Sequence, residues 1–183
     1  FFATGGIGGV HLNAENTNDV SADLYALSEN SNFVICSGAK SILDLSKTNE
    51  LLETLGITRI GYQTNYMPGF WYEETENKVD NKFDEIHEIS SFLKLNENMG
   101  NKKSILIFNK VPLEKALNKN DVEKWINNAT IKADRNNISG KELTPFLIKE
   151  INEQSKNETL NANVSLIINN ANLAGKIAKS FYS

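Results

Sequence analysis

The sequence predicts a single α/β domain over residues 1–183, with helices layered on both faces of a mixed, largely parallel central sheet. Short apolar runs typical of buried strands recur along the chain, and segments with apolar residues at helical spacing lie between them. A chain of 183 residues, 40% of them hydrophobic, is long enough to bury one core of its own. No Pro-rich or Ser-rich linker divides it.

The first predicted strand lies at the start of the chain. The sequence opens on the apolar pair Phe1-Phe2 without an initiator methionine, which is typical of a strand entered partway. We therefore expect further sequence upstream and a sheet that is incomplete at its N-terminal end. This opening also lacks the basic and apolar segments of a secretion signal.

A strand-helix-strand unit follows. Residues 33–36 form an apolar run that predicts a buried strand, which Gly38 ends. Thr48 is the predicted N-cap of a helix that Gly56 stops, and residues 57–62 predict the next strand.

The second half of the chain continues this alternation and then becomes mostly helical. The predicted order is helix, strand, helix and helix, over residues 83–93, 104–108, 122–133 and 143–151. In the last of these helices Thr144 is the predicted N-cap and Pro145 the first helical residue.

Composition excludes several classes of partner. A net charge of -4 and a pI near 5.3 provide no broad basic surface, so we expect no nucleic-acid partner and no anionic membrane partner. No apolar run approaches the roughly 20 residues of a membrane span. The single cysteine, Cys36, has no partner within the chain, which excludes a disulfide scaffold and fits a reducing compartment. We expect a cytoplasmic protein.

The first segment with chemical potential is glycine-rich and runs from Thr4 to His11. Four glycines in five positions suit either a phosphate-binding loop, through close backbone approach or positive φ, or a tight turn after a strand. The segment matches neither the dinucleotide pattern nor the Walker pattern. His11 is accordingly either a ligand-binding residue or a structural one.

The second segment holds two carboxylates around a predicted helix start. Ser21 is a plausible N-cap, which places Asp19 in the preceding loop and Asp23 in the first helical turn. Capping and the helix dipole explain both acids. Loop carboxylates are also hard oxygen donors, suited to Mg²⁺ or Mn²⁺ held largely by water.

The third segment centres on Lys40, just beyond the strand over residues 33–36. In open α/β sheets, ligands bind at the carboxyl ends of the strands. Small and apolar neighbours favour the neutral amine of a partly desolvated lysine, which is nucleophilic toward carbonyl groups; the alternative is a solvated surface lysine. Ser37-x-x-Lys40 also imitates the penicillin-binding motif, but its companion motifs are absent from the sequence, which disfavours acyl transfer.

These three segments, in this order, resemble the pseudouridine-5'-phosphate glycosidase family, which includes indigoidine synthase A-like proteins. The resemblance covers nearly the whole chain. Further matching segments are residues 52–56, 60–62, Gly140-Lys141, 143–147, Ala162-Asn163 and 169–171.

The resemblance implies a lyase-type glycosidase that reversibly cleaves the carbon-carbon bond of pseudouridine 5'-phosphate, giving uracil and ribose 5-phosphate without a redox cofactor. Lys40 matches the nucleophile, which forms an imine (Schiff base) with the ring-opened sugar. Asp19 matches the ligand of Mn²⁺. The residues that match substrate-binding positions are Thr4 and His11 for the phosphate and ribose, Ser21, Ala22 and Asp23 for the substrate in general, and Asn169 or Asn170 for the uracil edge.

Asn169 and Asn170 also have a structural interpretation as a helix boundary. Other positions depart from the family pattern: Leu12 stands where arginine is common, Ser37 where alanine is usual, and Asn109-Lys110-Val111-Pro112 replaces an Asn-Pro-Ile-Pro type.

The family also has an N-terminal region, carrying a glutamate general acid and a phosphate-binding lysine, that these residues do not include. We therefore expect this chain alone to be feeble or inactive and to need that region as a partner, within a homotrimer. Two alternatives stay open. One is a truncated homologue that binds a phosphosugar or assembles without turnover, and the other is a Schiff-base aldolase-like lyase acting on another phosphosugar.

Overall fold

A five-stranded parallel sheet forms the centre of the protein in a computed structural model that describes residues 1–183, apart from the side chain of Lys141. The strand order is β1-β2-β5-β3-β4. The strands are β1 Phe2–Ala3, β2 Phe33–Cys36, β3 Thr58–Tyr62, β4 Asn81–Phe83 and β5 Ile105–Phe108. Every strand pairing in the described sheet is parallel, so the prediction of a mixed sheet is corrected to a parallel one.

Helices cover both faces of the sheet. They are α1 Ala14–Thr17, α2 Ala22–Glu29, α3 Leu45–Thr54, α4 Ile86–Asn98, α5 Lys119–Arg135, α6 Leu143–Gln154 and α7 Glu158–Tyr182. Buried residues of α4 and of the C-terminal half of α7 pack in one core, and those of α2, α3, α5 and α6 pack in the other. The predicted α/β/α layering is confirmed.

The strands separate these two cores by alternation of their side chains. In β2, Val34 and Cys36 belong to the core that includes α2, α3, α5 and α6, while Ile35 belongs to the core that includes α4 and the C-terminal half of α7. In the neighbouring strand β5, Leu106 lies in the same core as Val34, and Ile107 lies in the same core as Ile35. A parallel sheet buried on both faces needs near-continuous apolar strands, which is why these runs predict strands correctly.

The helix starts differ from the predictions at two places. Asp44, not Thr48, is the N-cap of α3, and its carboxylate accepts a hydrogen bond from the Lys47 N–H at 2.9 Å. Thr48 is instead buried one turn inside the helix, where its hydroxyl accepts from the Val10 N–H at 2.9 Å. Thr144 is likewise not an N-cap, because α6 already begins at Leu143.

Three elements were not predicted, the short helix α1 among them. Strand β4 consists of Asn81, Lys82 and Phe83, a mostly polar edge strand that lacks an apolar run. Helix α7 is 25 residues long and rich in asparagine, which has a low helix propensity. No helix in the described part of the chain combines the length and apolar character needed to cross a membrane.

The single thiol gives a first testable prediction. Cys36 is fully buried in β2, and burial raises the pKa of its thiol to about 12. At pH 8 the thiol is therefore neutral as well as inaccessible, and thiolate reagents need the ionised form. We expect Cys36 in the folded protein not to react with a disulfide reagent. The urea-unfolded chain should consume one equivalent of the reagent. Rapid reaction of the folded protein would contradict the buried location.

Candidate active site around Lys40

Lys40 lies just beyond the carboxyl end of β2, held against the glycine-rich segment. Its backbone N–H donates to the Ile7 carbonyl at 3.1 Å, and the Ile7 N–H donates to the Gly38 carbonyl at 3.0 Å. Ile7 and Ala39 thus form a short parallel bridge that continues the sheet past its strands. Gly38 has a φ of +85°, a conformation that favours glycine, which turns the chain toward Lys40.

The half-buried Lys40 side chain borders two cavities. One, of about 470 Å³, includes Thr4, Gly6 and Asp23 in its lining. The other, of about 120 Å³, is lined by Lys40, Ile42, Phe70, Trp71, Ile148 and Asn163. Lys40 therefore shares one cavity with residues of the glycine-rich segment and with one of the two aspartates.

The glycines of the segment serve close packing, not positive φ. In the described chain, positive-φ glycines occur elsewhere, at positions such as Gly38 and Gly56. A Cβ at Gly6 would lie 2.7 Å from the Phe70 ring, and one at Gly8 would collide with the Ser21 side chain. The expectation of close backbone approach is met, but by protein groups.

Several N–H groups of the segment, though not all of them, bind protein groups. The Gly8 N–H donates to Asp23 Oδ2 at 2.7 Å, in addition to the bonds of Ile7 and Val10 given above. These contacts favour the interpretation as a tight turn over that of a phosphate-binding loop. They also fix the Asp23 carboxylate beside the Lys40 cavity.

The start of α2 agrees with the sequence prediction. Ser21 is its N-cap, and the hydroxyl accepts from the Asp23 N–H at 3.2 Å. Ala22 is exposed, and Asp23 lies in the first helical turn. Asp19 lies outside this helix, in the loop that precedes it.

Asp19 and His11 form a second part of the site. His11 Nδ1 lies 3.8 Å from Asp19 Oδ2, and the His11 N–H donates to the Asp19 carbonyl at 3.0 Å. Both residues border a cavity of about 900 Å³ between this loop and α5 and α6, separate from the two that Lys40 borders. Ile42 lines this cavity as well as the small one beside Lys40.

The carboxylates of this region do not enclose a metal site by themselves. Among the residues whose side chains the structure describes, no group of three or more His, Cys, Asp or Glu side chains is placed to hold an ion. Asp19 offers one carboxylate with 37% of its side chain exposed. This donor set suits only a hard cation that keeps most of its water.

The structure does not bring Asn169 and Asn170 to the Lys40 cavities. Asn170 is fully buried, and its Nδ2 donates to the Thr4 carbonyl at 2.8 Å and to Ser37 Oγ at 3.1 Å. Its Oδ1 accepts from Asn109 Nδ2 at 3.0 Å. Asn169 Nδ2 donates to the Lys110 carbonyl at 3.1 Å. The helix-boundary interpretation is also wrong, because both residues lie inside α7.

A different asparagine, which the sequence analysis did not select, lies beside Lys40. Asn163 precedes Asn170 by two helical turns on the same side of α7 and lines the small cavity. Its Oδ1 accepts from the indole Nε1–H of Trp71 at 2.6 Å. The helical phase of Asn170 was the signal that could have found it, had α7 been predicted.

Sequence comparison places this geometry among known proteins. The family model for indigoidine synthase A-like proteins matches residues 1–180. Pseudouridine-5'-phosphate glycosidase from Petrotoga mobilis is 46% identical over 180 residues, 98% of this chain and 59% of the relative. The enzyme of the same name from Staphylococcus aureus is 45% identical over 97% of this chain and 58% of its own length. The chain thus spans about three fifths of these relatives.

Solved structures agree with the fold. The prealnumycin C-glycosynthase AlnA, solved in complex with ribulose 5-phosphate, superposes with a TM-score of 0.92 at 30% identity, over 98% of this chain and 59% of that one. An indigoidine synthase A-like protein from Thermotoga maritima gives a TM-score of 0.86 at 35% identity, over 96% and 57%.

Proposed function

Because the chain belongs to the family of indigoidine synthase A-like proteins, we propose that it provides the imine-forming part of a pseudouridine-5'-phosphate glycosidase. The reaction is the reversible, lyase-type cleavage of pseudouridine 5'-phosphate to uracil and ribose 5-phosphate. Lys40 is the nucleophile.

The observation that carries this proposal is the small cavity beside Lys40. Its volume of about 120 Å³ suits one planar six-membered ring. Phe70 and Trp71 supply aromatic walls, Ile42 and Ile148 supply apolar ones, and Asn163 adds one amide. A pyrimidine base with carbonyl groups matches this combination of flat apolar walls and a single polar anchor.

The larger of the two cavities that Lys40 borders suits the phosphosugar. Thr4 and Asp23 are its polar residues nearest the glycine-rich segment. Lys40 borders both cavities, which is where C1' of the sugar must lie if the base and the sugar occupy one each. The arrangement therefore supports attack of the amine at the carbon that joins them.

The bond changes follow from this placement. The neutral amine of Lys40 forms a nitrogen-carbon bond to C1' while the C1'-O4' bond breaks and the ribose ring opens, and the proton that the nitrogen loses is balanced by the one that O4' gains. The C1'-C5 bond to uracil then breaks, its electron pair goes to C5, which takes a proton, and the nitrogen lone pair forms the imine. Water hydrolyses the imine to the aldehyde of ribose 5-phosphate and restores the amine. Covalent catalysis of this kind divides one hard step into easier ones.

Other side chains are proposed to bind the substrate or to move its protons. Asp23, held by the Gly8 N–H, is placed to move protons near the sugar. Thr4 is proposed to contact the phosphosugar in the larger Lys40 cavity, and His11 to contact the part of the substrate that extends to the cavity of Asp19. Ser21 and Ala22 are proposed to shape the substrate side of the α2 start. Asn163, which lines the small cavity, is proposed as the contact for the uracil edge in place of Asn169 or Asn170.

We also propose that Asp19 holds Mn²⁺ together with water and substrate oxygens, as its single exposed carboxylate allows. When bound, the ion would supply positive charge in the cavity that Asp19 and His11 border. We expect Asp19→Asn to weaken Mn²⁺ binding at least about tenfold, as measured by electron paramagnetic resonance of free Mn²⁺ during titration. Asp134→Asn, at an exposed carboxylate bordering the same cavity, is the control. Loss of binding in the control alone would contradict the assignment.

Borohydride trapping tests the function. The intact protein, incubated with ribose 5-phosphate and sodium borohydride, should gain a stable adduct on the peptide that contains Lys40. It should also release uracil from pseudouridine 5'-phosphate and not from uridine 5'-phosphate. Release from neither compound, with phosphosugar binding retained, would instead support a homologue that binds without turnover.

Adduct formation with a different phosphosugar but not with ribose 5-phosphate would support an aldolase-like lyase. The low activity of this chain by itself, the homotrimer and the cytoplasmic location stay predictions.

A further inference from the structure

Trp71 is rigidly held beside the proposed base cavity. Only 2% of the residue is exposed, and its ring centroid lies 5.4 Å from that of Phe70. Its carbonyl accepts from the Leu117 N–H at 2.8 Å. The indole Nε1–H donates to Asn163 Oδ1 at 2.6 Å, which joins the loop after β3 to α7 across the cavity.

This hydrogen bond determines which way the Asn163 amide is turned. An indole nitrogen is a donor only, so its partner on Asn163 must be the oxygen and cannot be the NH₂ group. The NH₂ group of Asn163 is not used in this bond, and within the described residues it has no hydrogen-bond partner. A free amide could rotate to exchange its donor and its acceptor, whereas the bond to Trp71 fixes this amide and leaves its NH₂ group available as a donor.

We propose that Trp71 is a specificity-determining positioning residue, which makes Asn163 a hydrogen-bond donor toward the bound base. A donor at this position can hydrogen-bond to a carbonyl oxygen of the base. It cannot hydrogen-bond to an exocyclic amino group, which is itself a donor. The site therefore selects uracil over pyrimidines in which the facing carbonyl is replaced by an amino group. The inference rests on the proposed function for the identity of the base.

The test compares the binding of three free bases to the intact protein by saturation-transfer NMR. Uracil is set against cytosine and isocytosine, each of which replaces one of the two carbonyls by an amine. We expect the wild-type protein to prefer uracil, and Trp71→Phe, which keeps an aromatic ring but lacks the N–H, to reduce that preference about tenfold. Trp125→Phe, on α5 and outside the cavity, should leave the preference unchanged.

A double-mutant cycle tests whether Trp71 acts through Asn163. Asn163→Ala alone should also reduce the preference for uracil, and Trp71→Phe should have no further effect on it in the Asn163→Ala protein. An unchanged preference in Trp71→Phe, or an equal loss of affinity for all three bases, would overturn the proposal. So would a wild-type protein without any preference for uracil.

The experiments distinguish failure of the proposed function of Lys40 from failure of the proposed role of Trp71. Borohydride trapping of the wild-type protein with ribose 5-phosphate reports the chemistry of Lys40 and involves no base. Absence of an adduct together with a Trp71-dependent preference for uracil would remove the proposed function and retain the role of Trp71. An adduct on Lys40 without a Trp71-dependent preference for uracil would retain the proposed function and remove the role of Trp71.

Discussion

Replacement of Lys40 by alanine is expected to abolish the borohydride-trapped adduct and to slow uracil release by the intact protein about 10⁴-fold or more. Among the described residues that line the two cavities, Lys40 is the one lysine, so it is the one side chain there that can form an imine with C1'. Without it the carbon-carbon bond has no covalent route to cleavage. Adduct mass and released uracil, measured by mass spectrometry and chromatography, are the two readouts.

Lys40→Arg separates nucleophilicity from charge. The guanidinium keeps the positive charge but does not lose its proton in proteins, so this variant should be as inactive as alanine. Lys47→Ala is the matched control, since Lys47 is half exposed and pairs with Glu15 on the surface. A trapped adduct that persists in Lys40→Ala would show that another lysine is the nucleophile.

Replacement of Asp80 by alanine is expected to lower the free energy of unfolding by about 3 kcal/mol, because it leaves a buried guanidinium without its main partner. Arg59 has a side chain that is 5% exposed, and it bonds Asp80 through Nη2 at 2.6 Å and through Nε at 3.3 Å. Burial lowers the pKa of Arg59, but the hydrogen bonds and charge of Asp80 and Glu53 raise it by more. The pKa is therefore above its ordinary value, and the guanidinium stays charged.

The expected loss lies at the lower end of the usual range for a broken buried ion pair, because 36% of the Asp80 side chain is exposed. Urea unfolding measures the change. Asp84→Ala is the control, since Asp84 is 60% exposed and pairs with Lys82 on the surface, where a salt bridge contributes about 0–1 kcal/mol. Equal losses in the two variants would mean that the buried pair contributes no more than the surface pair.

The fold could be predicted where burial dictates the residue type. Strands β2, β3 and β5 are apolar because both faces of a parallel sheet are covered, and each lies within one residue of its predicted range. Strand β4 lies at the edge, where polar residues are compatible with pairing, so its sequence carries no strand signal. Asp44 and Thr48 are both good N-cap residues, and only the position of Val10 decides that Thr48 is inside the helix.

The candidate site divides in the same way. The position of Lys40 after a strand and the capping role of Ser21 depend on local sequence, and the structure agrees with both. The choice between Asn163 and Asn170 depends on which turn of α7 reaches the cavity and which reaches the sheet. Two amides of equal chemical aptitude differ here only through tertiary contacts, which local sequence does not encode.

The buried amide of Asn170 has a mechanical consequence. It is bonded to the chain at the ends of three adjacent strands, through the Thr4 carbonyl, Ser37 and Asn109. These ends cannot slide past one another independently while that side chain stays in place. A displacement of α7 along its axis would strain these hydrogen bonds, one of which is made to Ser37, three residues before Lys40.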